Sequence, residues 1–306
     1  MAELTALFEV FFNLIICKFQ QSRLQCDWLT LQGLLTKVTD DVMNADTEDE
    51  LVYQKYVDRY FHAYVSVGSL FFFAAVTFSC GPLVMDVDLP ADAWYPFSMD
   101  LQLVRLSVYL SQVLAILQTG LSVTVDITVG MMCWYTSASI EILARRVSRV
   151  VSESDLSQCI IEHQRIINFA RETNYAVRYL ILKGNGTMKL SAVCGAFPLI
   201  YHQPLLIVSQ FILVVFCGLF KLYLSAWPAD DMAEMSNKLG DSTYSIPWID
   251  GSVKMRSSVL FVVQRSQMPL VISVSGVVPA LTLAFYATFV STTISYFVTL
   301  RAVFGE

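Results

Sequence analysis

The chain has 306 residues, of which 55% are hydrophobic and only 15% carry a charged side chain. Soluble domains carry about 25% charged residues, so this composition excludes an ordinary soluble domain and indicates an integral membrane protein. The formal charge of −6 says little about partners, because the charges are segregated into polar segments. No basic cluster is paired with aromatic residues, which disfavours nucleic-acid binding.

Six apolar stretches predict membrane-spanning helices, since about 20 apolar residues cross a bilayer. The first carries Glu3 and Glu9 where a signal peptide would be basic, so we expect a span and not a removed leader. An all-α, polytopic membrane helical bundle of about six spans in one domain, residues 1–306, is therefore predicted. The expected spans are residues 4–19, 60–85, 103–135, 188–201, 204–226 and 268–304, separated chiefly by the polar segments 20–59, 141–187 and 227–266.

The third stretch has a helical pattern that continues past Arg149. Such a helix is about 60 Å long, roughly twice the hydrocarbon thickness, so it should project beyond the membrane. Asp126 falls near its far boundary, where we favour a capping or packing role over a functional one. The acidic run between Asp40 and Glu50 is interpreted as a solvated loop or helix face.

The last stretch contains no Asp, Glu, Lys, Arg or His between Met268 and Leu300. Gly276 and Pro279 predict a kink or break in any helix through it. Beyond them, four hydroxyl residues recur at steps of four, three and four, which places them on one helical face, opposite Tyr286, Val290 and Phe297. A hydroxyl stripe of this kind suits either helix–helix packing or a pore wall. Its members are Thr288, Thr292, Ser295 and Thr299.

The distribution of basic residues predicts the orientation of the chain. The segments after the first, third and fifth spans, counted with the adjoining span ends that carry Lys18, Lys189 and Lys221, hold 18 of the 20 Lys and Arg residues, and the alternate loops 86–102 and 201–204 hold none. The positive-inside rule therefore places the large polar segments in the cytoplasm and the C-terminus outside. A G-protein-coupled receptor has its C-terminus inside, so that class is disfavoured.

No pattern typical of an enzyme or a metal site occurs in the sequence. The seven cysteines form no C-x-x-C pair and are interpreted as small buried hydrophobes. The three histidines are isolated, and His163 is expected to pack against its neighbours and not to act as a proton switch. We therefore expect no enzyme, cofactor or metal.

Several stretches together resemble the insect odorant receptor family. They are LPADAWYPF before the third span, CIIEHQRIINFA, YLSAWPADDMAEMSNKL after the fifth span, YSIPWID, RSQMPLVISVSG and the terminal TISYFVTLRAVF. Their order and spacing match over nearly the whole chain. The resemblance differs at two places, because family members have a further N-terminal span and because Lys183–Lys189 interrupts a helix that is usually apolar. Met1 would then lie near the outer surface.

The resemblance implies a seven-helix receptor of inverted topology, which acts as a subunit of an odorant-gated, non-selective cation channel. Such subunits assemble as tetramers with a shared olfactory co-receptor in the plasma membrane of sensory neuron dendrites. Cytoplasmic extensions of the helices form an anchor domain between subunits. The last helix of each subunit lines one central pore.

The resemblance also implies site residues. The gate positions fall on Thr299 and Val303, and a neighbouring pore position falls on Ala302, so the expected pore lining is Thr288, Thr292, Ser295, Thr299, Ala302 and Val303. An aromatic-walled pocket for small, volatile, apolar odorants is expected in the outer half of the bundle. Its candidate residues are Phe8, Phe11, Phe12, Ser69, Phe72, Phe73, Ile116, Gly120, Ser209 and Leu213.

Two alternatives stay open from the sequence. One is a G-protein-coupled-type chemoreceptor, which a C-terminus on the cytoplasmic side would favour. The other is a truncated, non-functional receptor fragment, which fits the missing first span.

Overall fold

The computed structural model describes residues 29–84, 89, 95, 97–200 and 205–304. Within these ranges the fold is all-α, as predicted, and the only strand-like feature is an isolated bridge between Val274 and Val278. The helices are α1 (residues 29–43), α2 (Thr47–Val84), α3 (Gln102–Val147), α4 (Glu153–Ile200), α5 (Leu205–Tyr244), α6 (Val253–Ser266) and α7 (Leu283–Phe304).

The helices are long because few residues interrupt their apolar pattern. The 46 residues of α3 correspond to roughly 69 Å, more than twice the hydrocarbon thickness of a bilayer. Among the described helices, three stretches are long and apolar enough to cross a membrane: Thr47–Thr77, Val123–Val147 and Leu283–Leu300. A helix that buries little of an apolar surface against its own chain requires lipid or a partner around it.

The buried core lies toward one end of the bundle, where α2, α3, α4 and α5 meet. Tyr60, Met132, Leu143 and Met232 are almost completely buried there, and the Tyr60 ring meets Trp227 edge-on at 4.8 Å. At the other end the large apolar side chains are exposed, including those of Leu103, Leu106, Leu110, Leu114, Ile212 and Phe216. This distribution fits a bundle with a protein-packed end and a lipid-facing end.

The helix bounds differ from the sequence prediction at three places. The α3 helix ends at Val147 and not past Arg149, with Ser148 as its C-cap residue, and the Arg149 side chain forms an ion pair with Glu48. The α4 helix is continuous through Lys183–Lys189, since two isolated glycines cost a helix only about 1 kcal/mol each. The α5 helix continues through Pro228 into the polar segment that follows the fifth apolar stretch.

The acidic run between Asp40 and Glu50 forms contacts that its composition did not reveal. Arg165 on α4 lies 2.6 Å from the Asp41 carboxylate, and the Tyr135 hydroxyl on α3 donates to the same carboxylate at 2.5 Å. Near the end of α3, Arg146 pairs with Asp49. The run therefore joins the end of α1 and the start of α2 to α3 and α4, and it is more than the solvated loop or helix face that we predicted.

Candidate functional site

A non-helical connector, residues 267–282, separates α6 from α7. Val274 and Val278 exchange both backbone hydrogen bonds, at 2.8 and 2.9 Å, and Gly276 in the turn between them has a φ of 79°. That conformation favours glycine. Of the kink or break that the sequence predicted near Gly276 and Pro279, the structure shows a break, and it is longer than those two residues indicated, because the connector takes up residues 267–282 of the stretch.

Side chains from α4 and α5 hold the connector in place. Asn174 Oδ1 accepts a hydrogen bond from the Ser273 backbone nitrogen at 2.8 Å, and Ser236 Oγ accepts one from the Leu270 nitrogen at 3.2 Å. The side chain of Ile272, between these two points, is fully buried. Because buried backbone donors need acceptors, these polar residues fix the path of the chain into α7.

Two side-chain acceptors cap the N-terminus of α7. Thr282 Oγ1 accepts from the Phe285 nitrogen at 3.2 Å, which is the ordinary arrangement of an N-cap threonine. Asp230, on α5, accepts from the Leu283 nitrogen at 3.2 Å. A negative charge at a helix N-terminus is also favoured by the helix dipole.

One face of α7 packs on the bundle. Phe289 and Thr293 are buried, and Tyr286, Val290 and Phe297 are half-buried. The Tyr286 ring meets Tyr223 of α5 at a centroid distance of 5.6 Å. The half-buried residues are the three that the helical period placed opposite the hydroxyl stripe.

The hydroxyl stripe itself is exposed on the surface of the subunit. Thr288, Thr292, Ser295 and Thr299 all lie on this outward surface, and their direction differs by roughly 140° from that of the packed face. Each hydroxyl donates to a backbone carbonyl one turn earlier, at distances between 2.8 and 3.0 Å. Because the protons are used within the helix, the oxygens present acceptor lone pairs outward, which suits hydrated cations.

The remaining predicted pore residues extend this surface only in part. Ala302 is exposed, and Val303 belongs to α7, but its side chain lies outside the described part of the structure. The hydroxyl stripe itself, from Thr288 to Thr299, spans about three turns of α7.

The structure describes the surroundings of only some of the predicted odorant-binding residues. Ser69, Phe72 and Phe73 lie on an exposed part of α2, where the two phenylalanine rings are in contact at 5.9 Å. Ile116 is half-buried on α3. Phe8, Phe11 and Phe12 lie outside the described residues, and only the backbone is described at Gly120, Ser209 and Leu213, so this pocket remains a prediction.

A separate cavity of about 260 Å³ lies where α1, α2, α3 and α4 meet. Its wall carries the side chains of Asp41, Asp49, Arg146 and Arg165, which pair with one another across it. None of the predicted odorant-binding residues lines this cavity. Its paired charges make it unsuitable for an apolar odorant.

Asp126 joins two helices of the bundle through an ion pair. Its carboxylate lies 2.8 Å from the Lys221 ammonium group, which joins α3 to α5, and both side chains are about one-quarter exposed. The sequence did not identify Lys221 as this partner, because a helical pattern does not show which residues of two different helices lie side by side.

His163 is buried on α4. Burial, together with the nearby positive charge of Arg265, lowers the pKa of His163 to about 4. The imidazole is therefore neutral at physiological pH, in agreement with the predicted packing role.

Sequence reasoning missed the polar residues that position α7. Asn174, Asp230 and Ser236 lie on helices α4 and α5, and each acts on a residue at least 34 positions away along the chain. Their local pattern resembles that of an ordinary solvated helix face. The N-cap Thr282 was detectable, since it is a threonine directly before an apolar helical run.

Long apolar helices, a protein-packed end and an exposed apolar end together define a polytopic helical membrane protein. Residues 10–294 match the family described as 7tm Odorant receptor, and the chain belongs to that family. Two curated relatives are similar over about half of this chain: Odorant receptor 10 of Aedes albopictus, 28% identical over 149 residues, and Odorant receptor Or2 of Anopheles gambiae, 27% identical over 155 residues. These matches cover 48% and 50% of this chain but only 39% and 40% of the relatives' length.

Solved structures show the same fold. The olfactory receptor OR5 of Machilis hrabei in complex with eugenol has a TM-score of 0.75 at 19% identity, over 90% of this chain and 74% of that one. The same receptor in a second structure gives 0.72 at 16% identity, over 91% and 76%. The family is one of receptors and not of enzymes, and its members are multi-pass membrane proteins.

Proposed function

We propose that this chain is an odorant receptor that acts as one subunit of an odorant-gated, non-selective cation channel, together with a shared olfactory co-receptor. The observation that carries the proposal is the exposed hydroxyl stripe of α7, which faces away from the subunit's own bundle. Against lipid, the outward-facing hydroxyl oxygens would lack hydrogen-bond donors, which has a free-energy cost. A water-filled pore shared between subunits removes that cost.

One subunit cannot enclose such a pore, so the proposal requires partners. Four copies of α7 around one axis would surround an aqueous path with rings of hydroxyl oxygens. Uncharged oxygen ligands attract cations weakly and discriminate poorly among them. We infer that the co-receptor supplies any further ion discrimination.

The orientation that follows has the C-terminus outside and residues 20–59, 141–187 and 227–266 in the cytoplasm. The basic residues of these segments support it through the positive-inside rule. The ligand class is small apolar volatiles, and the eugenol complex of the Machilis receptor supports a receptor of this fold binding such a molecule. Plasma membrane and sensory dendrite are the expected locations.

Co-expression with an olfactory co-receptor tests the proposal. We expect an odorant-evoked current that is absent with either subunit alone, and a tag at Glu306 that is accessible from outside intact cells. A tag accessible only after permeabilisation would support a G-protein-coupled-type receptor. No current with no surface protein would support a non-functional fragment.

A further inference from the structure

The cavity of about 260 Å³ between α1, α2, α3 and α4 has an excess of negative charge. Five carboxylates and three cationic side chains line it, which leaves a net charge of −2. A concave surface with an excess of one charge raises the local concentration of ions of the opposite sign. The charged lining residues are Asp40, Asp41, Asp46, Asp49 and Glu162, with Lys37, Arg146 and Arg165.

The uncompensated carboxylates lie where the cavity opens to solvent. The two arginines are already neutralised by ion pairs with Asp41 and Asp49. Asp40 and Asp46 are exposed, and neither forms an ion pair within the described ranges. These two carboxylates are therefore free to accept hydrogen bonds from a cationic ligand.

Ser139, on α3, adds a buried hydroxyl to the wall of the cavity. The residue is only 8% exposed, and its Oγ has no hydrogen-bond partner within the described ranges, although the hydroxyls of Tyr53 and Tyr135 are close to it. The nearby Thr136 and Ser137 hydroxyls instead donate to the carbonyl one turn earlier, at 2.8 and 3.0 Å. A buried polar group without a partner is unfavourable, and a ligand in the cavity could satisfy this one.

Aromatic rings form another part of the wall. The Tyr135 ring stacks on Tyr53 at 5.9 Å and meets Phe169 edge-on at 4.9 Å. The Lys37 ammonium group lies 5.4 Å from the centroid of the Phe169 ring, so the protein itself places an alkylammonium group against this wall. Such rings attract ammonium groups through their π-electrons and pack against methylene groups.

The lining favours an organic cation over a metal ion. Among the described residues, no three acidic, histidine or cysteine side chains lie close enough together to hold a metal ion. The volume is also slightly below the roughly 300 Å³ at which pockets for drug-sized ligands begin. A short, flexible molecule with separated positive charges suits both the size and the charge distribution.

We propose that this cavity binds a small linear diamine in its doubly protonated form. One ammonium group donates to Ser139 Oγ, the methylene chain lies against the aromatic wall, and the other ammonium group contacts Asp40 and Asp46. The two positive charges match the net charge of the lining. The bound diamine joins the end of α1 to α3, and the site requires neither the odorant pocket nor the orientation given under Proposed function.

Calorimetric titration of the full chain, purified in a neutral detergent at constant ionic strength, tests the proposal without odorant or current. Its failure is therefore distinguishable from failure of the channel proposal. The probes are 1,4-diaminobutane, 1-aminobutane and magnesium chloride. We expect 1,4-diaminobutane to bind at least tenfold more tightly than 1-aminobutane, because the monoamine makes only one of the two ammonium contacts.

Two sets of variants identify the site. Asp40→Asn with Asp46→Asn should weaken diamine binding more than tenfold, and Ser139→Ala about fivefold. Ser139→Ala should not lower the unfolding temperature of the ligand-free protein, because the Ser139 hydroxyl makes no hydrogen bond there. A loss of stability in that variant would indicate a structural role and count against the proposal.

Glu50→Gln with Glu172→Gln is the matched control, because it removes two exposed carboxylates that do not line the cavity. It should change diamine binding less than twofold. Equal weakening in the control would reduce the effect to surface charge. Binding of 1-aminobutane or magnesium as tight as that of the diamine, or unchanged binding in Ser139→Ala, would overturn the proposal.

Discussion

The Asp230 carboxylate on α5 accepts a hydrogen bond from the backbone nitrogen of Leu283, the first residue of α7, at 3.2 Å. It connects the protein-packed end of the bundle directly to the helix that we propose lines the pore. The acceptor is not part of α7 or of the connector before it. The start of α7 is thus defined by a neighbouring helix.

Asp230→Ala should lower stability by about 1 kcal/mol, since loss of a capping acceptor typically costs that much. Asp230→Asn retains an acceptor oxygen and should cost less. Thermal unfolding of the purified variants in one detergent checks the order. Equal transition temperatures for the two variants would mean that the hydrogen bond to Leu283 contributes nothing.

Protonation of His163 should make the protein less stable in mild acid. The folded state lowers the pKa of His163 to about 4 through burial and the charge of Arg265, whereas an unfolded chain titrates near the ordinary value of about 6.5. Below pH 6.5 the unfolded state therefore binds the proton and the folded state does not. Stability is fully present above that pH and is lost as pH falls toward 4, by at most about 1.4 kcal/mol per pH unit.

His163→Gln removes this titration, so its transition temperature should fall less than that of the parent between pH 7 and pH 5. His62, which is exposed on α2, provides the control. The His62→Gln variant should keep the pH dependence of the parent protein. An unchanged slope in His163→Gln would contradict the assignment to this residue.

Gly130→Ala and Gly184→Ala should have opposite effects. A Cβ at Gly130 would overlap the Tyr64 side chain, with its Cζ at 2.8 Å, and that ring is buried with its hydroxyl donating to the Leu224 carbonyl. Overpacking of this kind costs about 1–3 kcal/mol. A Cβ at Gly184 meets nothing within 4 Å, and alanine there should stabilise α4 by up to about 1 kcal/mol.

Both variants change one glycine in a helix, so each serves as the control for the other. Transition temperatures measured side by side decide the comparison. Destabilisation by Gly184→Ala would show that the α4 helix near Lys183 needs the flexibility of glycine.

Thr299→Trp should reduce the single-channel conductance of complexes with the co-receptor. An indole at Thr299 would project from the hydroxyl stripe into the proposed pore. Val298→Trp is the matched control, because Val298 is also exposed but points roughly 100° away from the stripe. Surface labelling should give equal amounts of both variants, and an unchanged conductance in Thr299→Trp would contradict the pore assignment.

The general fold was predictable from composition and apolar length. The long α3 helix, the hydroxyl stripe and its half-buried opposite face follow from a period of 3.6 residues, which is a local property of the chain. The break around Gly276 was also visible, although its full length from residue 267 to 282 was not. A run of valines and isoleucines is apolar in a helix and in an extended segment alike, so composition cannot separate the two.

The contacts between distant polar residues were not predictable. Asp41, in a run interpreted as solvated, pairs with Arg165, which lies 124 positions later in the chain. The Asn174 side chain accepts a hydrogen bond from the backbone of Ser273, 99 positions later. Charge alone marks such residues as surface residues, and only the packing of the helices identifies their partners. The odorant pocket stays a prediction from family resemblance, because several of its candidate residues lie outside the described structure.

The connector has a mechanical consequence for α7. Asn174, Asp230 and Ser236 accept hydrogen bonds that fix the segment up to Leu283, whereas beyond Leu283 only one face of α7 packs on its own subunit. The fixed end of α7 is therefore at Leu283, and Thr299 lies roughly 24 Å from it along the helix axis. A tilt of α7 by about 5° at Leu283 moves Thr299 sideways by about 2 Å, by the same rise per residue.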